Sequence, residues 1–290
     1  MTANELTAQG LNPDEIRALV RTALDEDLRY GPDVTTTATV AEDAEATASV
    51  VARQPGTIAG LDVGLVVLDE VIGKDNYTVR DRVTDGTEVA PGQSILTVTA
   101  PTRGLLTAER TMLNLVCHLS GIATTTAAWV AEVADTDTRI RDSRKTLPGL
   151  RSLQKYAVRA GGGVNHRMGL GDAALIKDNH VAAAGSVVAA LKAVRAAAPR
   201  IECEVEVDSL EQLDEVLAEN VELVLLDNFA LWQTQMAVQR RGKLSPSTRL
   251  ESSGGLTLDV AHDYARTGVD FLAVGGLTHS VTVLDLGLDM

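Results

Sequence analysis

The chain has 290 residues and a formal net charge of −14, with 45% hydrophobic and 23% charged residues, which suits a globular protein of one large or two ordinary domains. The acidic balance argues against nucleic-acid binding, because nucleic-acid interfaces are basic. No apolar stretch has the length of a membrane span, and residues 1–10 lack the features of a signal peptide. Cys117 and Cys203 form no metal or disulfide motif. We therefore expect a cytoplasmic protein without nucleic-acid or membrane partners.

The first part of the chain is predicted to form an α/β domain. Asn12 is a candidate helix N-cap, Pro13 fits the first helical position, and apolar residues then recur at helical spacing to about Glu26. Short runs with β propensity follow, separated by turn residues. These runs lie at 48–52, 78–79, 83 and 94–99.

The second part begins with one long predicted helix, residues 108–133, and then alternates between strands and helices. The predicted strands lie at 139–141, 173–176, 201–207, 223–226, 249–251 and 271–274. The predicted helices lie near 182–197, 210–218, 231–240 and 258–266. A strand and a helix repeating roughly every 20 to 25 residues are typical of a parallel β/α barrel or an open parallel sheet.

Each of these predicted strands ends in polar side chains that can do chemistry, which favours the barrel. The polar groups are residues 142–145, 177–180, 206–208, 227–228, 252–255 and 275–276. In β/α barrels the active site is assembled from the carboxyl ends of several strands. All six groups are therefore expected at one mouth.

Positive charge is concentrated between Arg139 and His180. This segment has nine Lys and Arg residues against three Asp residues, a local net charge of +6 in a chain of −14. Glycines between the cations let backbone N–H groups approach a ligand, and Arg and Lys side chains bind carboxylates and phosphates. We expect a small anionic ligand here, with a solvated charged face as the alternative.

Two glycine pairs follow the last two predicted strands. Gly254-Gly255, preceded by two serines, and Gly275-Gly276 stand where β/α barrels often bind phosphate through backbone N–H groups. Tight turns without a ligand are the alternative.

Acidic residues alternate along the strand at 201–207. Glu202, Glu204 and Glu206 point to one side of it, and unless the strand is a wet edge they must meet cations, metal or water inside the barrel. Asp227, at the end of the next strand, resembles a metal or hydroxyl ligand, or else the N-cap of the following helix. Lys177 has three possible roles, which are anion ligand, Schiff-base nucleophile and structural ion-pair partner.

Several motifs resemble the quinolinate phosphoribosyltransferase family over essentially the whole chain. They are ED (26–27), GPDVT (31–35), ERT (109–111) with Asn114, SGIAT (120–124), DSRKTLPG (142–149), the segment 155–163, NHR (165–167), IKDNH (176–180), EVE (204–206), LDN (226–228) and ESSGG (251–255). The resemblance implies an N-terminal α/β sandwich domain, residues 1–115, to which a C-terminal tail, 280–290, returns. It also implies an incomplete parallel β/α barrel, residues 116–279, that carries the active site.

The reaction implied by this resemblance joins quinolinate to phosphoribosyl pyrophosphate with Mg²⁺ present. It releases pyrophosphate and carbon dioxide and yields nicotinate mononucleotide for de novo NAD biosynthesis. Active sites in the family lie at the interface of a homodimer, which could assemble further, and Arg110 would reach into the neighbouring subunit's barrel.

The resemblance also assigns roles to individual residues. Quinolinate would be bound by Arg110, Arg144, His166, Arg167 and Lys177. Lys145 would hold pyrophosphate, and the ribose 5-phosphate would be bound by Ser253, Gly254, Gly255, Gly275 and Gly276. Glu206 and Asp227 would hold Mg²⁺ or the ribose hydroxyls. The catalytic set would be Lys145, Lys177, Glu206 and Asp227.

Three other interpretations compete with this one. They are a related transferase acting on another heteroaromatic acid, a class I aldolase that uses Lys177, and a non-catalytic nucleotide sensor that retains the pocket.

Overall fold

The structure is a computed structural model that describes residues 3–290. The chain divides into two compact units. The first contains Met1–Ala127, Thr146–Gly162 and Thr278–Met290, and the second contains Ala128–Lys145 and Gly163–Leu277. The predicted division between residues 115 and 116 falls inside one continuous helix, Thr102–Glu132.

The helices that lie wholly or mainly in the first unit are α1 Ala3–Ala8, α2 Pro13–Leu28, α3 Val34–Thr39, α4 Leu61–Ile72, α5 Thr102–Glu132 and α6 Arg151–Ala160. Helix α2 begins as predicted, because the Asn12 side chain accepts hydrogen bonds from the backbone N–H groups of Asp14 and Glu15. The sequence did not predict α4, because residues 61–68 are all buried and show no polar face.

The main sheet of the first unit is antiparallel. Its strands, in the order in which they pair, are β12 Leu286–Asp289, β1 Glu45–Ala52, β5 Ser94–Pro101 and β3 Thr78–Arg82. A two-stranded ribbon is formed by β2 Gly56–Thr57 and β4 Glu88–Val89. The tail strand β12 pairs with β1 from Ser49 opposite Asp289 to Ala52 opposite Leu286. Strand β1 buries alternate residues, Ala48, Val50 and Ala52, so one face of this sheet lies in the core.

The sheet of the second unit is parallel. Its strands, in spatial order, are β6 Arg139–Arg141, β11 Phe271–Ala273, β10 Arg249–Ser253, β9 Leu223–Asp227, β8 Cys203–Val207 and β7 Ala174–Ile176. All six were predicted, with ends that differ by at most two residues. Strands β6 and β7 form the two edges, so the sheet is open. The predicted fold class, an α/β protein with an incomplete parallel barrel, is confirmed.

Helices connect these strands. They are α7 Asp178–Ala184, α8 Val187–Ala197, α9 Leu210–Ala218, α10 Leu231–Leu244, α11 Leu258–Ala265 and α12 Gly276–His279. The prediction of one helix near 182–197 is wrong, because Gly185 ends α7 in the left-handed conformation and the Ser186 side chain caps α8. Among the described residues, no single helix is both long and apolar enough to cross a bilayer, although α7 and α8, bent by 89°, meet that length and composition together.

Close packing of α5 in the first unit depends on a glycine. A Cβ atom on Gly121 would stand 2.3 Å from the carbonyl oxygen of Thr282 and 2.9 Å from the Cα of Val283. Backbone atoms at these distances cannot move aside as a flexible side chain would. The segment that leads into β12 therefore packs directly on the helix backbone at this point.

We expect Gly121→Ala to lower the free energy of unfolding by about 1–3 kcal/mol, because the added methyl group overpacks this contact. Gly242→Ala is the matched control, since Gly242 lies in α10 with no atom within 4 Å of the added carbon. The control should stabilise by about 0.5–1 kcal/mol through helix propensity. Urea unfolding measures both variants, and equal stability of the two would contradict the packing described.

Candidate active site

A cavity of about 190 Å³ opens at the carboxyl ends of the strands in the second unit. Every strand of the parallel sheet contributes to its wall at or just beyond its end. The contributing residues are Asp142 to Lys145 after β6, Lys177 after β7, Glu206 on β8, Asp227 on β9, Ser253 on β10 and Gly275 after β11. The prediction that all six strand ends meet at one mouth is confirmed.

The predicted cations converge on this cavity. Arg144, Lys145, Arg167 and Lys177 all line it, and so does His166. The pKa of Arg167 is lowered, first by burial and then by the nearby positive charge of Arg144. Two guanidinium groups that repel each other in a partly buried wall form a site that an anion would stabilise.

A fully buried carboxylate just after β6, that of Asp142, holds the loop between α6 and β7. Asp142 Oδ1 accepts a hydrogen bond from the backbone N–H of His166 at 2.8 Å, and Asp142 Oδ2 accepts one from Asn165 Nδ2 at 2.6 Å. This fixes the backbone that presents His166 and Arg167 to the cavity. The sequence analysis placed Asp142 in the polar group expected after β6, but no local pattern showed that its carboxylate would hold this loop.

The three predicted inward-facing acids each meet a basic side chain, one of the kinds of partner expected for them. Glu202, just before β8, pairs with Arg249, Glu204 with His166, and Glu206 with Lys177. The three pairs follow one another along the chain towards the cavity. The alternative of a wet edge strand is wrong, because β8 pairs with both β7 and β9.

His166 and Glu251, which line the cavity, belong to a cluster with Glu204 and the partly buried Arg141, here called the floor cluster. His166 Nε2 lies 2.6 Å from Glu204 Oε2, and Arg141 Nη1 donates to Glu251 Oε2 at 2.7 Å. Burial raises the pKa of both carboxyl groups, and the negative charge of Glu204 raises that of Glu251 further. Arg141 and Glu251 were missed as site residues, because their pairing joins strands more than 100 residues apart in sequence.

Two sets of carboxylates have the chemistry of a metal site. Glu206 and Asp227, at the ends of adjacent strands, line both the main cavity and a neighbouring one of about 300 Å³, and such oxygen ligands suit Mg²⁺. In the floor cluster, His166, Glu204 and Glu251 also place ligand atoms within 4.8 Å of one another. Mg²⁺ prefers oxygen ligands, and the floor cluster includes an imidazole, so Glu206 and Asp227 suit this ion better.

Asp227 is not the N-cap of the next helix. Helix α10 begins after Ala230, and the Asp227 carboxylate instead accepts a hydrogen bond from Asn228 Nδ2 at 2.9 Å. The structural alternative for this residue is therefore wrong, and its side chain faces the cavity.

Lys177 lies between β7 and α7 with a half-exposed side chain that pairs with Glu206. Its backbone N–H donates to His180 Nδ1 at 2.9 Å, which fixes the start of α7. The pair with Glu206 matches the structural ion-pair role expected as one alternative for Lys177, and its place in the cavity wall also suits an anion ligand. A lysine held in an ion pair is less suited to be a Schiff-base nucleophile, which must be a neutral amine.

The glycines after β10 allow a tight approach of two strand ends. Gly254 and Gly255 have φ angles of 97° and 61°, and a Cβ atom on Gly254 would stand 2.2 Å from Asn228 Oδ1. Ser253 and Gly275 line the cavity, whereas Gly254 and Gly255 continue the loop beyond Ser253 and Gly276 begins α12. Successive backbone N–H groups in such turns can bind phosphate.

Arg110 is the predicted site residue that belongs to the first unit. It lies on α5 and its side chain is exposed.

Comparison with known proteins assigns the chain to a family. Family models described as the N-terminal and C-terminal domains of quinolinate phosphoribosyl transferase match residues 33–120 and 122–289. A Mycobacterium leprae protein named nicotinate-nucleotide pyrophosphorylase [carboxylating] is 68% identical over 277 residues, which cover 96% of this chain and 98% of that protein. A mitochondrial Nicotiana tabacum protein named quinolinate phosphoribosyltransferase [decarboxylating] 2b is 36% identical, with 94% and 82% of the two chains covered.

A solved structure agrees with the sequence comparisons. The crystal structure of NadC from Streptococcus pyogenes matches with a TM-score of 0.91 and 37% sequence identity over 97% of each chain. The likeness extends over both units, and the identity is high enough to indicate common descent as well as a common fold. The chain therefore belongs to the quinolinate phosphoribosyltransferase family.

Proposed function

We propose that this protein transfers the phosphoribosyl group of phosphoribosyl pyrophosphate to quinolinate. One ring carboxyl group is lost as carbon dioxide, and the products are nicotinate mononucleotide and pyrophosphate, a step of NAD biosynthesis. The observation that carries the proposal is the convergence of four cations and two carboxylates on one cavity, in a chain of this family. Five of these groups lie at the ends of four strands, and Arg167 lies in the loop before β7. Both substrates are small and strongly anionic, as such a cavity requires.

Quinolinate, a planar dicarboxylate, would be bound by Arg144, Arg167, Lys177 and His166. Forked guanidinium groups match carboxylates in geometry as well as in charge. A bound dianion would offset the repulsion that lowers the pKa of Arg167. The same contacts would hold the ring nitrogen in line with the sugar carbon that it attacks.

Phosphoribosyl pyrophosphate would lie against the opposite strand ends. The 5-phosphate would be bound by the Ser253 side chain and by the backbone of Gly254, Gly255, Gly275 and Gly276, and Lys145 would hold the pyrophosphate. Glycines with left-handed φ angles support this assignment, because they turn backbone N–H groups towards a common anion.

We also propose that Glu206 and Asp227 hold Mg²⁺, with the ribose hydroxyls within reach of the same carboxylates. When bound, the ion would neutralise charge on the leaving pyrophosphate. The carboxylates would in addition stabilise positive charge that develops on the ribose as the bond to pyrophosphate breaks.

The chemistry then proceeds in two steps. The ring nitrogen forms a bond to the ribose carbon while the bond from that carbon to pyrophosphate breaks. The bond to the adjacent carboxyl group breaks next, its electron pair stays on the ring carbon beside the positive nitrogen, and a proton takes the place of carbon dioxide. Neither step needs a general base, so the site can bind and orient with fixed charges.

We further propose a homodimer with shared active sites, in which Arg110 of one subunit contacts quinolinate in the other subunit's barrel. Its exposed position on α5 leaves it accessible to a second subunit. A cytoplasmic location is supported by Cys117 and Cys203, which are both free thiols.

Purified protein given quinolinate labelled in the carboxyl group next to the ring nitrogen, phosphoribosyl pyrophosphate and Mg²⁺ should release labelled carbon dioxide. Chelation of divalent ions should abolish the release, and added Mg²⁺ should restore it. Nicotinate in place of quinolinate is the control, since it lacks the carboxyl group that is lost. Binding of both substrates without release of carbon dioxide would contradict the proposal.

Arg144→Ala and Arg167→Ala should each raise the KM for quinolinate about 10- to 100-fold, the cost of one or two charge-assisted hydrogen bonds. The KM for phosphoribosyl pyrophosphate should change much less. Arg240→Ala is the control, because Arg240 pairs with Asp214 on the outer helices and should leave both constants unchanged. A larger effect on phosphoribosyl pyrophosphate than on quinolinate would overturn the assignment.

Mixing Arg110→Ala with Arg144→Ala tests the shared site. At a quinolinate concentration well below the raised KM of the variants, each variant alone should be nearly inactive. Random exchange of subunits should then restore roughly one quarter of wild-type activity, because half of the dimers would carry one intact site of two. Native mass spectrometry confirms the exchange. If heterodimers form and activity does not return, each site lies within one chain.

A further inference from the structure

The floor cluster contains two carboxylates that the proposed chemistry does not use. The Glu251 side chain is fully buried and that of Glu204 is 5% exposed. The Oε1 atom of each has no hydrogen-bond partner among the described residues. Placing carboxylates in such a position is costly, and apolar residues of similar size often stabilise a fold better. Stability alone therefore does not explain why a carboxylate stands at position 204.

Glu204 contacts a residue of the proposed quinolinate site. Its Oε2 atom lies 2.6 Å from Nε2 of His166, and His166 lines the cavity. Strand β8 holds the carboxylate, because Glu204 is paired in register with Leu175 of β7 and Leu223 of β9. The carboxylate is therefore a rigid anchor for the imidazole.

The backbone of His166 is held independently of Glu204. Its N–H donates to Asp142 Oδ1 at 2.8 Å, and Asp142 also accepts from the neighbouring Asn165 side chain. Loss of the Glu204 carboxylate would thus leave the loop in place, and only the imidazole ring of His166 would become free to rotate. The direction of the ring and the position of the loop are separately controlled.

We infer that Glu204 is a positioning residue for quinolinate, which acts by fixing the imidazole of His166 towards the bound dicarboxylate. This inference rests on the proposed function. Arg141 and Glu251 complete the arrangement, because Arg141 carries the positive charge that lies beside both buried carboxylates. Glu204 touches no substrate in this scheme, so its effect should be specific to the substrate that His166 binds.

Steady-state kinetics of Glu204→Ala, Glu204→Leu and Glu204→Gln test this role. The first two remove the hydrogen bond, and Leu fills the space if the cavity left by Ala prevents folding. We expect both to raise the KM for quinolinate about tenfold or more while the KM for phosphoribosyl pyrophosphate stays within about twofold. Gln retains an amide that can hydrogen-bond the ring in either protonation state, so it should remain within about threefold of wild type.

Two further comparisons separate positioning from general damage. Glu202→Ala is the matched control, because Glu202 lies two residues before Glu204, just ahead of β8, and pairs with Arg249 away from the cavity. It should leave both KM values within about twofold of wild type. In a His166→Ala background, Glu204→Leu should have no additional effect on quinolinate, because residues that act through each other are not additive.

The inference is overturned if Glu204→Leu leaves the KM for quinolinate unchanged, if it impairs both substrates equally, or if its effect persists in the His166→Ala background. A wild-type protein that releases no carbon dioxide would instead overturn the proposed function. Wild-type activity measured beside the variants therefore distinguishes the two failures.

Discussion

Carboxylates paired with cations inside the open barrel are the constraint on which the second unit depends. Barrel interiors are usually filled by branched aliphatic side chains, whereas here Glu204, Glu206 and Glu251 are largely buried and each meets a basic side chain. Removing one partner of a buried pair leaves an uncompensated charge, which costs more than the intact pair contributes. A slip of β8 by one residue would turn Glu204 and Glu206 outwards, so the pairs fix the register of the sheet.

Along the barrel, the role of the charged side chains changes from joining strands to binding ligands. Towards the amino end of β8, Glu202 and Arg249 are partly exposed and hold strands together. In the middle, burial raises the pKa of Glu204 and Glu251, and the floor cluster is enclosed. At the mouth, Arg144 and Arg167 lie close enough for one to lower the pKa of the other. In the floor cluster the protein's own basic side chains therefore balance the carboxylates. At the mouth an anionic ligand would balance the positive charges of Arg144 and Arg167.

Much of the second unit could be predicted from sequence, because short local patterns of apolar and polar residues determine its strands and their polar ends. Apolar strands followed by polar residues gave the parallel sheet and its six contributing ends, and the alternation of Glu202, Glu204 and Glu206 gave an inward-facing acidic row. The local pattern did not show which cation each acid would meet. Arg141 and Glu251 become partners only when β6 and β10 are brought to either side of β11.

Errors in the helices have similarly specific causes. Helix α4 is buried over its first two turns and therefore has no amphipathic period. The break between α7 and α8 was visible in sequence as Gly185 followed by Ser186, a helix C-cap and the next N-cap, but the apolar residues around it masked the signal. Asp142 was expected at the mouth as the first polar residue after β6, but its contacts with Asn165 and His166 could not be predicted, because they join residues more than 20 positions apart.

The pairing of β12 with β1 has a consequence for biogenesis. Strand β1 lies in the middle of the finished sheet, but until residues 286–289 emerge from the ribosome one of its edges has no neighbour. An uncovered strand edge is a template for aggregation, and vectorial synthesis normally lets an amino-terminal module fold first. Here that order cannot hold, because the amino-terminal sheet stays incomplete until the whole of the second unit, whose last residue is Leu277, has been synthesised.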